Sequence, residues 1–97
     1  MNKPLGSRDV FNSSGLSPND ISRLLLSQDV VGEAHSLMAQ ILSADSVTAT
    51  FLAEARARRA VADWRDAKRI TWNQVMDLST LYKAASSERV DQLARLL

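Results

Sequence analysis

Apolar residues recur at intervals of three and four along most of the chain, which is the spacing of one face of a helix. The clearest stripe begins after Asp29 and predicts an amphipathic helix over 29–42. Its members are Val30, Val31, Ala34, Leu37, Met38, Ile41 and Leu42. No segment alternates apolar and polar residues for long enough to indicate a strand. The pattern therefore predicts an all-α fold.

A long central helix is predicted over 47–68, since this segment is rich in strong helix formers and Asp45 or Ser46 can cap it. On a helical projection its apolar residues fall into two stripes. The first stripe is Ala49, Ala53, Ala57, Ala60, Val61, Trp64 and Ala67, and the second is Phe51, Leu52, Ala55 and Ala62. Because alanine lets another helix approach closely, we expect the first stripe to meet either the helix over 29–42 or its own copy.

Shorter helices are predicted towards both ends of the chain. Ser17 followed by Pro18 is typical of a helix start and predicts a helix over 18–27. The spacing of Thr71 and Gln74 is that of a capping box and predicts a helix ending near residue 85, after which Ser86 or Ser87 would cap a last one. These elements predict a small four- to five-helix bundle over 18–97. Residues 1–17 lack a helical period and predict a flexible, disordered N-terminal tail.

Composition narrows the classes of function. The 97 residues are 45% hydrophobic and 24% charged, which is typical of a single globular domain. The chain has one histidine and no cysteine, so we expect no disulfide, no metal site, no cofactor and no catalytic centre. No apolar run has the length of a signal or a membrane span, so we expect a cytoplasmic protein with no membrane partner. A net charge of +1 supplies no overall attraction for a polyanion.

The basic segment Arg56–Arg69 supports an alternative function, because clustered cations bind the phosphates of nucleic acids. Its candidate polyanion contacts are Arg58, Arg65, Lys68 and Arg69. Acidic residues are interleaved with these cations, as in the pair formed by Glu54 and Arg58 at four-residue spacing, which favours a solvated helix face. A nucleic-acid-binding regulator is therefore the second hypothesis.

The single histidine lies in the segment Ala34-His35-Ser36-Leu37, which resembles the start of the phosphorylated helix of histidine phosphotransfer domains. Members of that family are helical bundles whose exposed histidine accepts a phosphoryl group from a response regulator, so the resemblance implies His35 as phosphoacceptor. The next two positions in the family are usually lysine and glycine, whereas here they are Met38 and Ala39. Without the lysine a phosphohistidine lacks charge stabilisation, so a degenerate phosphotransfer-like domain is the third hypothesis.

The pattern favours a small protein–protein interaction module as the first hypothesis. Such a protein would be a regulator, an adaptor or an assembly or secretion accessory protein of the bacterial or phage kind, and would act as a homodimer. Self-association is expected from the two-sided central helix, the apolar C-terminus and the small core of one copy. The predicted interaction surface is Ala53, Ala57, Ala60, Trp64, Leu96 and Leu97. The aromatic residues Trp64, Trp72 and Tyr82 are expected mainly in the core.

Overall fold

A computed structural model of the protein describes Ile21 and residues 24–96. These residues form three helices and no strand: α1 (Gln28–Leu42), α2 (Val47–Asp66) and α3 (Trp72–Arg95). Each helix packs against the other two, and α2 packs most extensively against α3. The all-α prediction is thus confirmed, but the described part of the chain is a three-helix bundle and not one of four or five helices.

The C-terminal half of α3 corrects the prediction of a separate last helix. Ser86 and Ser87 were expected to cap that helix, but α3 continues through both serines without a break. Ser86 is only 2% exposed, and it extends the buried face that includes Leu78, Tyr82 and Ala85. A serine inside a helix costs only about 0.5 kcal/mol relative to alanine. Packing of this continuous face therefore outweighs the preference of serine for a cap.

The segment before α1 differs in part from the predicted helix over 18–27, of which half of the residues lie outside the described part of the chain. Ile21 and Leu24 have 3₁₀-helical conformation. Leu25, Leu26 and Ser27 are not helical, and Leu25 has a φ of 55°, in the left-handed region. Gln28 begins α1, and the hydroxyl of Ser27 donates to Asp29 and makes no cap hydrogen bond. The predicted tail over 1–17 and the terminal Leu97 also lie outside the described residues.

The starts of α2 and α3 carry the caps that the sequence predicts. The Ser46 hydroxyl accepts a hydrogen bond from the main-chain N–H of Ala49 at 3.0 Å. At the start of α3, the Gln74 N–H donates to the Thr71 hydroxyl at 3.1 Å, and the Thr71 N–H donates to the Gln74 side chain at 2.9 Å. This reciprocal pair is a capping box, which fixes the first turn of α3.

The end of α2 is a Schellman motif in which lysine occupies the position that usually holds glycine. Lys68 has a φ of 60°, and its N–H donates to the carbonyl of Arg65 at 2.9 Å. The N–H of Arg69 donates to the carbonyl of Trp64 at 2.8 Å. The motif reverses the chain within a few residues, so that α3 runs back along α2.

The core lies between the three helices and combines large residues from α1 with small ones from α2. The buried stripe of α1 consists of Val30, Ala34, Leu37, Met38 and Ile41, as the sequence predicts. On α2 the buried residues are Thr50, Ala53, Ala57, Val61 and Trp64. Tyr82 of α3 is completely buried, and its hydroxyl donates to the main-chain carbonyl of Ala34 at 3.0 Å. Burial raises the pKa of this hydroxyl far above its ordinary value, so it stays protonated.

Candidate protein-binding groove

The structure places most of the predicted interaction surface inside one copy of the chain. Ala53, Ala57 and Trp64 are buried in the core, and Ala60 is half-buried against it. The helices that approach the alanine stripe are therefore α1 and α3 of the same chain. Of the predicted surface residues that the structure describes, only Leu96 is strongly exposed.

Leu25, which precedes α1, is also strongly exposed, and Val47 at the first position of α2 is 39% exposed. The other exposed large apolar side chains of the described residues lie along α2 and α3. On α2 they are Phe51 and Leu52, which are 55% and 56% exposed and belong to the second stripe of the projection. On α3 they are Trp72 and Met76, which are 64% and 67% exposed. The expectation that Trp72 belongs to the core is therefore wrong, whereas Trp64 and Tyr82 are core residues.

Phe51 and Trp72 lie at opposite ends of a surface groove between α2 and α3, which we call the α2–α3 groove. Its first half has a volume of about 390 Å³ and is lined by Phe51, Glu54, Lys83, Ser86, Ser87, Val90, Asp91 and Ala94. Its second half has a volume of about 240 Å³ and is lined by Arg58, Val61, Ala62, Arg65, Asp66, Trp72, Val75 and Ser79. We call the larger first half the wide half and the second the narrow half. No described residue of α1 lines either half. The groove therefore follows the side of the α2–α3 pair that α1 leaves uncovered.

Helical geometry explains why the two halves share one side of the molecule. On α2 the lining residues recur at intervals of three and four from Phe51 to Arg65, and on α3 they do so from Trp72 to Ala94. Successive residues of a helix point about 100° apart, so the lining residue Arg58 is turned about 100° from the buried Ala57. Leu52 is turned about 100° from Phe51 and lines neither half of the groove.

The charged side chains of the groove are mostly held by neighbours. Arg58 pairs with Glu54 at 3.4 Å along α2, and Asp91 pairs with Arg95 at 2.6 Å along α3. Arg65 donates to the main-chain carbonyl of Ile70 at 2.9 Å. The same guanidinium lies 4.5 Å from the centroid of the Trp72 ring, a cation–π contact that holds the indole at the edge of the groove.

The four candidate polyanion contacts do not form one cluster of unengaged cations. Arg58 and Arg65 make the contacts just described, and Arg69 crosses from the α2–α3 turn to Asp29 of α1 through Nε, at 3.1 Å, and Nη2. The Ser27 hydroxyl and then Arg69 lower the pKa of Asp29, because both stabilise its charged form. Lys68 is exposed in the turn. Nucleic-acid binding stays a prediction, with three of its four residues in contacts within the chain.

The structure places His35 on α1, where its side chain is half-buried. The sequence of α1 contains no lysine or arginine, so the helix itself supplies no cation for a phosphohistidine. The phosphotransfer hypothesis stays a prediction that rests on the four-residue resemblance.

Residue 21 and residues 24–96 contain no group of three or more side chains that could hold a metal ion. None of the helices in this part of the chain is long and apolar enough to cross a membrane.

A second recess lies beside the wide half of the groove, at the end of the bundle where α2 begins. It has a volume of about 320 Å³ and is lined by Asp45, Ser46, Val47, Leu93 and Leu96. Val47 and Leu96 are both exposed here, which extends the apolar surface past Phe51 to the end of α3. Leu96 belongs to the interaction surface that the sequence predicts. The groove residues of α3 were not predicted as a surface for binding, because their helix face is partly polar.

No family model matches the chain, and searches of curated proteins and of solved structures likewise found no significant match.

Proposed function

We propose that the protein is a small helical interaction module that binds an amphipathic helix of a protein in the α2–α3 groove. The observation that carries this proposal is the position of Phe51 and Trp72, which are more than half exposed and line opposite ends of one groove. Aromatic residues and methionine are enriched at protein interfaces, and an amphipathic helix in an apolar groove is a recurring mode of recognition.

The gain from covering these side chains is large enough to matter for binding. Full burial of a phenylalanine or methionine side chain is worth about 1.5–3 kcal/mol, and tryptophan is larger still. Since Phe51 and Trp72 are both already partly covered, a partner would gain roughly half of that from each, or about 2–3 kcal/mol in total before the costs of association. The groove is lined by polar as well as apolar side chains, and the polar ones can form the polar rim that most interfaces have.

The roles of regulator, adaptor or assembly or secretion accessory protein are all compatible with such a module. A nucleic-acid-binding regulator is the less favoured alternative, because Arg58, Arg65 and Arg69 have partners inside the chain. Any polyanion would have to compete with these contacts for the cations.

Site-specific photo-cross-linking of the full chain in the cells that produce it tests the proposal. A photoreactive phenylalanine analogue placed at Phe51 should form a protein adduct, and the Trp72→Glu substitution should remove that adduct. The matched control is the same analogue at Leu52, which is equally exposed on the same helix but lies outside the groove. Equal adducts at both positions, or no adduct at Phe51, would overturn the proposal.

A further inference from the structure

We propose that the protein which covers the α2–α3 groove is a second copy of this chain, turned end for end, so that its α2 and α3 helices both lie on the groove. This inference rests on the proposed function of the groove and adds the identity and orientation of its occupant. In this arrangement the wide half of each groove faces the narrow half of the other. The two α2 helices lie against each other, as do the two α3 helices, and both pairs are antiparallel.

The charges that line the groove favour this orientation. Among the residues that line the wide half, Glu54 and Asp91 against Lys83 sum to −1. Glu54 pairs with Arg58 of the narrow half, so this pair has its negative end in the wide half and its positive end in the narrow half, and Asp91 pairs with Arg95 at the end of α3. In the narrow half, Arg58 and Arg65 against Asp66 leave a net charge of +1. Turning one copy end for end brings halves of opposite sign together, whereas an unturned copy brings like halves together. Complementary charges fix the register of an interface and disfavour the wrong one.

The apolar side chains fit the same orientation. The end-for-end turn places Trp72 of one copy opposite Val90 and Ala94 in the wide half of the other. Those two side chains are small, and the wide half is the larger recess, at about 390 Å³. Phe51 is placed opposite Ala62 in the narrow half, where another small side chain leaves room for the ring. Each large side chain therefore meets small ones, as in the packing of ridges into grooves.

The size of the face is sufficient for a specific dimer of moderate affinity. The lining residues of α3 extend from Trp72 to Ala94, which is about 33 Å along a helix. Two adjacent helices make a face about 20 Å wide, so each copy contributes about 600 Å². The total of about 1,200 Å² lies at the lower limit of stable protein interfaces. We therefore expect dissociation at roughly micromolar concentrations.

Sedimentation velocity over a concentration series of the full chain tests whether a second copy binds. We expect a monomer–dimer equilibrium whose dissociation constant Phe51→Glu raises at least about tenfold, because the loss of a single well-buried contact is enough for a tenfold change. Leu52→Glu, on the same helix and equally exposed, should leave the equilibrium unchanged. A chain that sediments as a monomer at all concentrations would overturn the inference.

Cross-linking of single-cysteine variants tests the orientation, because the natural chain has no cysteine. Val75 and Val90 line opposite halves of the groove and lie about 22 Å apart along α3, so an unturned second copy would hold the two positions too far apart to be linked. In the end-for-end arrangement Val75 of one copy lies opposite Val90 of the other. A short bismaleimide should therefore link a mixture of Val75→Cys and Val90→Cys chains, and should link neither variant with itself.

Two results would overturn the orientation: linkage of each variant with itself, or a dimer by sedimentation whose mixture gives no linkage. The inference and the proposed function fail separately. A monomeric chain that still gives an adduct with another protein at Phe51 would remove the second copy and keep the groove as a binding site. A monomeric chain with no such adduct would overturn both.

Discussion

Replacing Lys68 with glycine should stabilise the protein. Lys68 occupies the left-handed position that ends α2, with a φ of 60°. A residue with a side chain pays about 1–2 kcal/mol there, since its Cβ approaches the following carbonyl, and glycine has no Cβ. The surrounding Schellman motif, with its hydrogen bonds of 2.9 Å and 2.8 Å, leaves the backbone no alternative conformation.

Two smaller effects reduce the expected gain. Glycine is more flexible than lysine in the unfolded chain, which costs about 0.5–1 kcal/mol, and loss of the positive charge near a helix C-terminus costs about 0.3 kcal/mol at an exposed site. The net stabilisation should be about 0.5 kcal/mol. For a domain of this size that corresponds to a rise in Tm of about 2–4 °C. Thermal unfolding of the full chain followed by far-UV circular dichroism measures it, with all variants at one protein concentration.

Two matched variants identify the cause. Lys68→Ala removes the same charge but keeps a Cβ in the left-handed region, so its Tm should not rise. Ala67→Gly, one residue earlier and at a φ of −82°, should lower the Tm, because no strain is relieved there. The reasoning would be refuted if Lys68→Gly lowered the Tm, or if Lys68→Ala raised it equally.

Three further predictions test the packing and the ion pair. Ser86→Ala should raise the free energy of unfolding in urea by about 1–1.5 kcal/mol, because alanine favours the helix and the buried hydroxyl makes no hydrogen bond with another described residue. The control Ser87→Ala, at an exposed position, should raise it by only about 0.5 kcal/mol, and equal increases would contradict the prediction. In the same assay Tyr82→Phe should lower the free energy of unfolding by about 1 kcal/mol, because it removes one hydrogen bond, and Tyr82→Ala should lower it by about 3–5 kcal/mol, because it also leaves a cavity. Similar losses for the two variants would contradict this prediction. The pKa of Asp29 in the folded chain lies below its ordinary value of 3.8. The charged carboxylate therefore stabilises the fold at pH values above 3.8, and this contribution is lost as the pH falls through the pKa of the folded chain. Asp29→Asn should therefore be less stable than the natural chain near neutral pH and equally stable in strong acid, and a gap that did not change with pH would refute this.

The parts of the fold that the sequence predicts correctly are those determined by neighbouring residues. The caps at Ser46 and at Thr71 and Gln74 involve residues three apart, so their spacing alone identifies them. The buried stripe of α1 follows from its period in the same way.

The division of α3 at Ser86 was wrong because it depended on contacts between distant segments. Serine is favoured at a cap by local hydrogen bonding, and the residues next to Ser86 in the sequence do not indicate that it is buried in the folded bundle. Trp72 was misplaced for the same reason. The first turn of α3 directs its side chain away from α1, and only the packing of the three helices determines that direction.

The candidate site was predictable in part. Both apolar stripes of α2 were visible on a helical projection, but the sequence does not determine which one faces the core. Phe51 and Leu52 offer more apolar area than Ala53 and Ala57, so size alone would place them inside. The structure buries the alanines instead, and the buried face of α3 likewise includes the small residues Ala85 and Ser86.

This choice of core relates the groove to the stability of the bundle. The buried faces of α2 and α3 include small residues, which permit close packing of helices, and the large side chains of Phe51 and Trp72 lie outside these faces. They remain on the adjacent face, where the apolar area that they expose contributes nothing to the stability of one copy. A domain of this size has little core, and apolar area left along a groove becomes stabilising only when a partner covers it. Covering the groove should therefore raise the stability of the whole bundle together with its binding. For that reason the groove residues, more than His35 or the basic segment, are where function is expected.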